Sequence, residues 1–197
     1  AGLTVALTEY MKDQGSFGTS GIATFENPKG PLPIRYKAWD VKTMNIDENQ
    51  DGFVDTIYNE IELNPRKAVL EYGINNVSAK TRDLFNSGKT AAIKILHAIE
   101  PRLDADPLKF GNKDMPIASI HIEVVGEKIL RESGFEEMPV LVSRFSKALG
   151  EIYGRSPGMA ALSDIIELNA IWEAVTLAIE KNLDPPLGVL SDSDLGL

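Results

Sequence analysis

Tyr153-Gly154-Arg155-Ser156-Pro157-Gly158-Met159 leads without interruption into an apolar helical pattern that stops at Asp184-Pro185-Pro186. Ser156 is a good N-cap residue, and Pro157 suits the first helical position, where no backbone N–H bond is needed and φ is already fixed. No proline intervenes before Leu183, and Gly158 lies in the first turn, where it costs little. The stretch predicts one rod of about 27 residues, roughly 40 Å long at ~1.5 Å per residue. Projected at about 100° per residue, its C-terminal half gathers Ile171, Trp172, Ala174, Val175, Ala178, Ile179 and Leu183 into a wide apolar arc. Asn169, Glu173, Thr176 and Glu180 fall on a narrow polar stripe. A surface helix needs only about a 100° apolar face to sit on its own core, so the surplus must be covered from further sides. Further copies of the chain would cover it, and so would the interior of its own domain; periodicity does not separate the two.

Upstream, the pattern is mixed. Leu3, Ala6, Leu7, Tyr10 and Met11 have helical spacing over residues 3–14, with Gly15 placed to end the helix. Residues 17–26, 34–39, 41–46 and 53–63 favour strands, as do 90–100, 117–125, 128–132 and 140–145. Asn64-Pro65 opens a helix through Tyr72, and Ser78 caps another through Phe85, both expected to lie over a meandering antiparallel sheet. Gly126-Glu127 reads as a tight hairpin turn and residues 104–113 as a loop. The fold class expected is α+β: a β-rich region with short helices, then one long helix. Neither internal repeats nor low-complexity tracts are visible.

Several of these pieces carry a family likeness. Tyr153 to Leu162, Asp164-Ile165, Leu168-Asn169 and the Asp184-Pro185-Pro186-Leu187 exit resemble the head-to-tail connecting (portal) proteins of short-tailed bacteriophages. Phe17-Gly18-Thr19-Ser20-Gly21 is similar to that family's glycine-rich entry to its first strands, and Asp51-Gly52-Phe53-Val54-Asp55 to its hairpin. Glu132-Ser133-Gly134-Phe135, Met138-Pro139 and Arg144-Phe145 match its approach to the Tyr-Gly-Arg segment in order and spacing; Ser163 departs from the proline of many members. The resemblance implies a wing-like α+β region over residues 1–152, a stem-like helix over 153–186 and the start of a clip-like segment over 187–197. It also implies a ring of twelve subunits at one capsid vertex of a virion assembled in the host cytoplasm. Double-stranded DNA would pass through without sequence-specific binding, and capsid protein, terminase and tail adaptor proteins would be partners. Ile171, Trp172, Val175 and Ile179 would pack subunits together. Asn169, Glu173, Thr176 and Glu180 would face the channel, or else form an outer solvated stripe. Members are much longer, and an opening at Ala1 without methionine suggests an excised segment.

Bulk chemistry narrows the alternatives. A chain of 197 residues buries roughly 70% of its unfolded surface, enough for a real core. No apolar run approaches the roughly 20 residues needed to span a bilayer, and Glu9, Lys12 and Asp13 make the N-terminus unlike a secretory signal. The absence of cysteine removes disulfides, thiolate nucleophiles and cysteine zinc sites. A net charge of −9 opposes a tight grip on nucleic acid, which relies on Lys and Arg displacing counterions from phosphates, yet suits a surface that DNA must slide past.

Candidate chemical motifs are incomplete. Asp47-x-Asn49-x-Asp51-Gly52 reproduces the first half of a helix-loop-helix calcium loop. Its position 12, which needs a bidentate Glu, is Tyr58, and strand patterns flank it, so a hairpin turn is the expectation and a calcium-binding module the rival. His97 and His121 lack the i, i+4 helical spacing of zinc hydrolases and are expected as buried or rim histidines. An unrecognised hydrolase would need a carboxylate such as Glu100 or Glu123 beside a histidine in a cleft. Ser87-Gly88-Lys89-Thr90 ends like a nucleotide loop, but Asp83 stands where the earlier glycine belongs. No cofactor and no catalytic residue is expected.

Overall fold

In the computed structural model, which describes residues 2–27, 30–105 and 111–185, the Tyr-Gly-Arg-Ser segment is a crossing point. Helix α1 (Leu3–Phe17) ends at Gly18, whose φ of 77° is left-handed and whose N–H donates to the Gln14 carbonyl at 3.0 Å. A Cβ on Gly18 would meet the Arg155 carbonyl carbon at 2.4 Å, and one on Gly154 would meet the Gly18 oxygen at 2.3 Å. The two glycines thus let two backbones touch. Gly154 N–H donates to Thr19 Oγ1 at 2.8 Å, and the Ser156 hydroxyl donates to the Ser16 carbonyl at 2.8 Å. Gly15, expected to close α1, lies inside it instead; the αL conformation falls three residues later, where the chain must turn sharply under residues 154–156.

Two antiparallel sheets follow, rather than one meander. β1 (Thr19–Glu26) lies between β2 (Ile34–Trp39) and β8 (Val140–Arg144). The second sheet runs β3 (Met44–Glu48), β4 (Val54–Leu63), β5 (Ile93–Pro101), β6 (Ile117–Glu123), β7 (Lys128–Phe135). Sequence neighbours pair throughout the second sheet, whereas β8 returns over more than a hundred residues to pair with β1, setting Ala23 opposite Val140. The sheets face each other across Ala23, Trp39, Met44, Ile46, Ile57, Ile99 and Val140, all buried. Glu127 adopts φ 46° in the turn between β6 and β7.

The short helices lie where expected. α2 (Pro65–Tyr72) is capped by Asn64, whose Oδ1 accepts from Lys67 N–H at 2.8 Å; α3 (Ala79–Asn86) is capped by Ser78, whose Oγ accepts from Thr81 N–H at 3.2 Å. A second core, with Ala68, Tyr72, Val77, Ile93, Ile95 and Leu130, joins α2 to β5 and β7.

The chain divides after Pro157 into two units. The second is helical but is not the single rod expected: α4 (Pro157–Ala160) stops at Ala161, whose φ −89° and ψ 2° lie outside the helical well, and α5 (Leu162–Leu183) starts afresh. The four-residue turn containing Gly158 has weak helical propensity and does not propagate through Ala161. α5 has 22 residues, about 33 Å. It ends where Asp184 precedes Pro185 with an extended φ of −131°, as a residue before proline should. The clip-like expectation at 187–197 lies outside the described residues.

Candidate functional site

All of α5 is solvent-exposed in the chain. Ile171, Trp172, Val175 and Ile179, the expected packing surface, are 53%, 72%, 46% and 54% exposed. Asn169, Glu173, Thr176 and Glu180 share a stripe about 60° wide by the 100° helical step, and within it the Thr176 hydroxyl donates to the Trp172 carbonyl at 2.9 Å. Asp164 in the first turn and Lys181 in the last complement the helix dipole. The helix presents unusually large apolar side chains to water, with acid groups along one line.

In the first unit, a polar row runs through the core. On β6 the inward residues are Ser119, His121 and Glu123, all buried, and β5 sets Ile99, His97 and Ile95 opposite them. The His97 and His121 rings stack at 3.9 Å with 18° between planes. His97 Nε2 meets Ser119 Oγ at 2.9 Å, and His121 Nδ1 meets the Tyr72 hydroxyl at 2.8 Å. Burial pushes His97 down to about 4, helped by Arg131 and Lys37; burial, then His97 and Arg131, push His121 down to about 3. Both are neutral at physiological pH. The pair forms part of the wall of an open cleft of about 1050 Å³ between the sheets, which Trp39, Tyr72 and Arg131 also line. Arg131 lies over the Tyr72 ring at 5.2 Å and pairs with Glu71 at 3.5 Å.

Neither candidate glutamate is joined to a histidine. Glu100 accepts from the Tyr58 hydroxyl at 2.5 Å. Glu123 accepts from Ser78 N–H at 3.0 Å, Ser78 Oγ at 2.5 Å and Thr81 Oγ1 at 2.6 Å, so it closes the N-terminus of α3. Burial alone would raise its carboxyl, but these hydrogen bonds outweigh it and hold Glu123 below the ordinary range. The hydrolase arrangement is therefore not assembled by these groups, and a helix cap accounts for the buried acid.

The Asp47-Asn49-Asp51 loop is the tip of the β3–β4 hairpin. Asn49 Oδ1 accepts from Asp51 N–H at 3.0 Å and Phe53 N–H at 2.9 Å, and Asp47 Oδ1 from Glu48 N–H at 2.8 Å, so side-chain oxygens are engaged in shaping the turn. Asp47, Asn49 and Asp51 are exposed, and Phe53 beside them is 70% exposed. Among the described residues no group of three or more His, Asp or Glu could hold a metal ion. The calcium reading finds no support here.

The cleft between the sheets was not visible in the sequence. Its wall comes from β1, β2, β4, α2, β5, β6 and β7, brought together by long-range pairing and joined by no linear motif.

Comparison with known proteins gives these elements a context. The chain is 30% identical over 177 residues to a portal protein of Salmonella phage epsilon15, covering 88% of this chain and 32% of that protein. It is 30% identical over 185 residues to a probable portal protein of Bordetella phage BPP-1, covering 92% of this chain and 33% of the relative. It thus spans about a third of the length of these relatives. The family model for the bacteriophage head to tail connecting protein matches residues 2–196, and with the glycine crossing, the two-sheet unit and the exposed helix falling inside that match, the chain belongs to this family.

Proposed function

We propose that the chain is the wing and stem part of a connector subunit whose copies form a ring, a dodecamer, at one capsid vertex, through which double-stranded DNA enters and leaves the head. Residues 1–152 serve as the wing and 153–186 as the stem. One observation carries this reading: Ile171, Trp172, Val175 and Ile179 on α5 are about half exposed or more in the isolated chain. Covering each gains on the order of 2 kcal/mol. Equivalent helices about a ring axis cover one another through two different faces, as heterologous closure requires. Relatives described as portal proteins support the same role.

The subunit works by geometry and charge, without a catalytic site of its own. Asn169, Glu173, Thr176 and Glu180 face the passage, where acid groups keep phosphates from adhering. Capsid protein, terminase and tail adaptor proteins dock on the outer surfaces. In the full-length protein, Glu173→Lys with Glu180→Lys slows DNA translocation while rings persist in electron micrographs. Normal packaging in that double variant refutes the channel assignment, and a monomeric native mass for the full-length protein refutes the ring.

A further inference from the structure

The cleft between the two sheets and the acidic β3–β4 tip are both unassigned by the ring reading, and their chemistry is complementary. Arg35, Lys37, Lys67 and Arg131 line the cleft against three carboxylates, giving it positive charge in a chain of net −9. Arg35, Lys37 and Lys67 are exposed and make none of the ion pairs found among the described residues. Trp39, only 3% exposed, lines the same cleft, with the partly buried Phe25 beside it at 6.3 Å between ring centroids. Exposed cations without ion pairs beside an aromatic wall suit a partner that carries acid groups and an apolar side chain.

The hairpin tip has that composition. Asp47, Asp51 and Phe53 are all exposed at this turn, and Asn49 braces it through its bonds to the Asp51 and Phe53 amides. Glu48 anchors the base of the tip through Arg144 and Lys147. Little conformational freedom remains to be lost on docking. The tip stands at the start of β4, whereas Ile61 and Leu63 near its end line the cleft, about 30 Å away at ~3.3 Å per residue. One copy therefore cannot fill its own cleft with its own tip.

We infer that the β3–β4 tip of one copy seats in the cleft of the next, Phe53 against Phe25, with Asp47 and Asp51 facing Lys37 and Lys67. The contact rests on the ring reading, since tip and cleft are different surfaces and make a head-to-tail contact.

The chain has no cysteine, so introduced thiols report the contact cleanly. Full-length protein carrying Asp51→Cys together with Lys37→Cys, or with Lys67→Cys, is oxidised at assembling concentration. A ladder of disulfide-linked multimers is expected from at least one pair, with no more than dimers from any single cysteine. Absence of a ladder from both pairs, while sedimentation still shows multi-copy particles, overturns the tip-in-cleft contact and leaves the ring reading standing. Monomers at every concentration overturn both. In parallel, Asp51→Lys and Lys37→Glu each weaken association about tenfold and their combination restores it; a double variant weakened by the product of the two also overturns the contact.

Discussion

Exchanging two glycines three residues apart tests the crossing point on which the first unit is built. Gly15 lies on the exposed side of α1, with nothing within 4 Å of where a Cβ would stand. Gly15→Ala removes the backbone-entropy penalty of an interior helical glycine and stabilises by about 0.5–1 kcal/mol. Gly18 is the opposite case. Its φ of 77° costs an L-residue about 1 kcal/mol, and the added methyl would meet the Arg155 carbonyl carbon and the Ser156 nitrogen, both at 2.4 Å. Those are backbone atoms, fixed by the Arg155 N–H bond to the Ser146 carbonyl at 2.6 Å, and cannot swing aside as a side chain would. Overpacking adds about 2 kcal/mol, so Gly18→Ala destabilises by about 3 kcal/mol. For a unit of this size the expected changes are a rise of about 2 °C and a fall of about 10 °C in Tm. Urea unfolding followed by far-ultraviolet circular dichroism measures both. If Gly15→Ala costs a kcal/mol or more, the helix ends at Gly15 after all. If Gly18→Ala is neutral, residues 154–156 do not pack on the end of α1.

Other measurements probe the polar row and the hairpin. Because His97 and His121 are held near 4 and 3 against an ordinary value of about 6.5, the unfolded chain takes up protons first on acidification. Their contribution is complete above pH 6.5 and is lost below it, about 4 kcal/mol between pH 7.5 and 5 by denaturant titration, and His121→Gln halves that pH-dependent loss. Glu123, with its depressed carboxyl, adds a further loss only below its ordinary range of about 4.5. Glu123→Gln lowers stability by about 2 kcal/mol at pH 7 and frays α3 in amide exchange; unchanged protection of Arg82 and Asp83 amides would contradict the cap. Millimolar calcium leaves Tm unaltered, whereas a calcium-induced rise abolished by Asp51→Ala would revive the binding-loop reading.

Elements defined by neighbouring residues were legible in the sequence, and those defined by distant partners were not. Asn64-Pro65 and Ser78 announced α2 and α3 because an N-cap acts within three residues, and the β2 limits followed from its own composition. The division into two sheets depends on β8 choosing β1, a decision made across the whole unit. In β6 the polar set takes the inner face, with Ile120 and Ile122 only partly buried while Ser119, His121 and Glu123 go inside. Each of these buried polar groups is satisfied by a residue on another element, Ser119 by His97, His121 by Tyr72 and Glu123 by Ser78 and Thr81. No local pattern encodes such partners.

The candidate surfaces divide along the same line. The α5 stripe was readable because a helix maps sequence spacing directly onto a face, and Asn169, Glu173, Thr176 and Glu180 needed only the 100° step. The cleft needed folding first: Lys37 and Trp39 come from β2, Lys67 from α2 and Arg131 from β7. The acidic tip lay between these extremes, for its residues were noticed together as a broken metal loop and only its rigidity and exposure show a convex knob instead. A metal loop must converge its oxygens inward on a cation, whereas here the Asn49 oxygen and one Asp47 oxygen are turned to backbone amides and Asp51 is exposed. Charge directed outward on a stiff turn is solvated in the single copy and is free to meet a partner of opposite sign. The inferred contact gives it one, the cleft of a second copy, where four cations line the wall against three carboxylates.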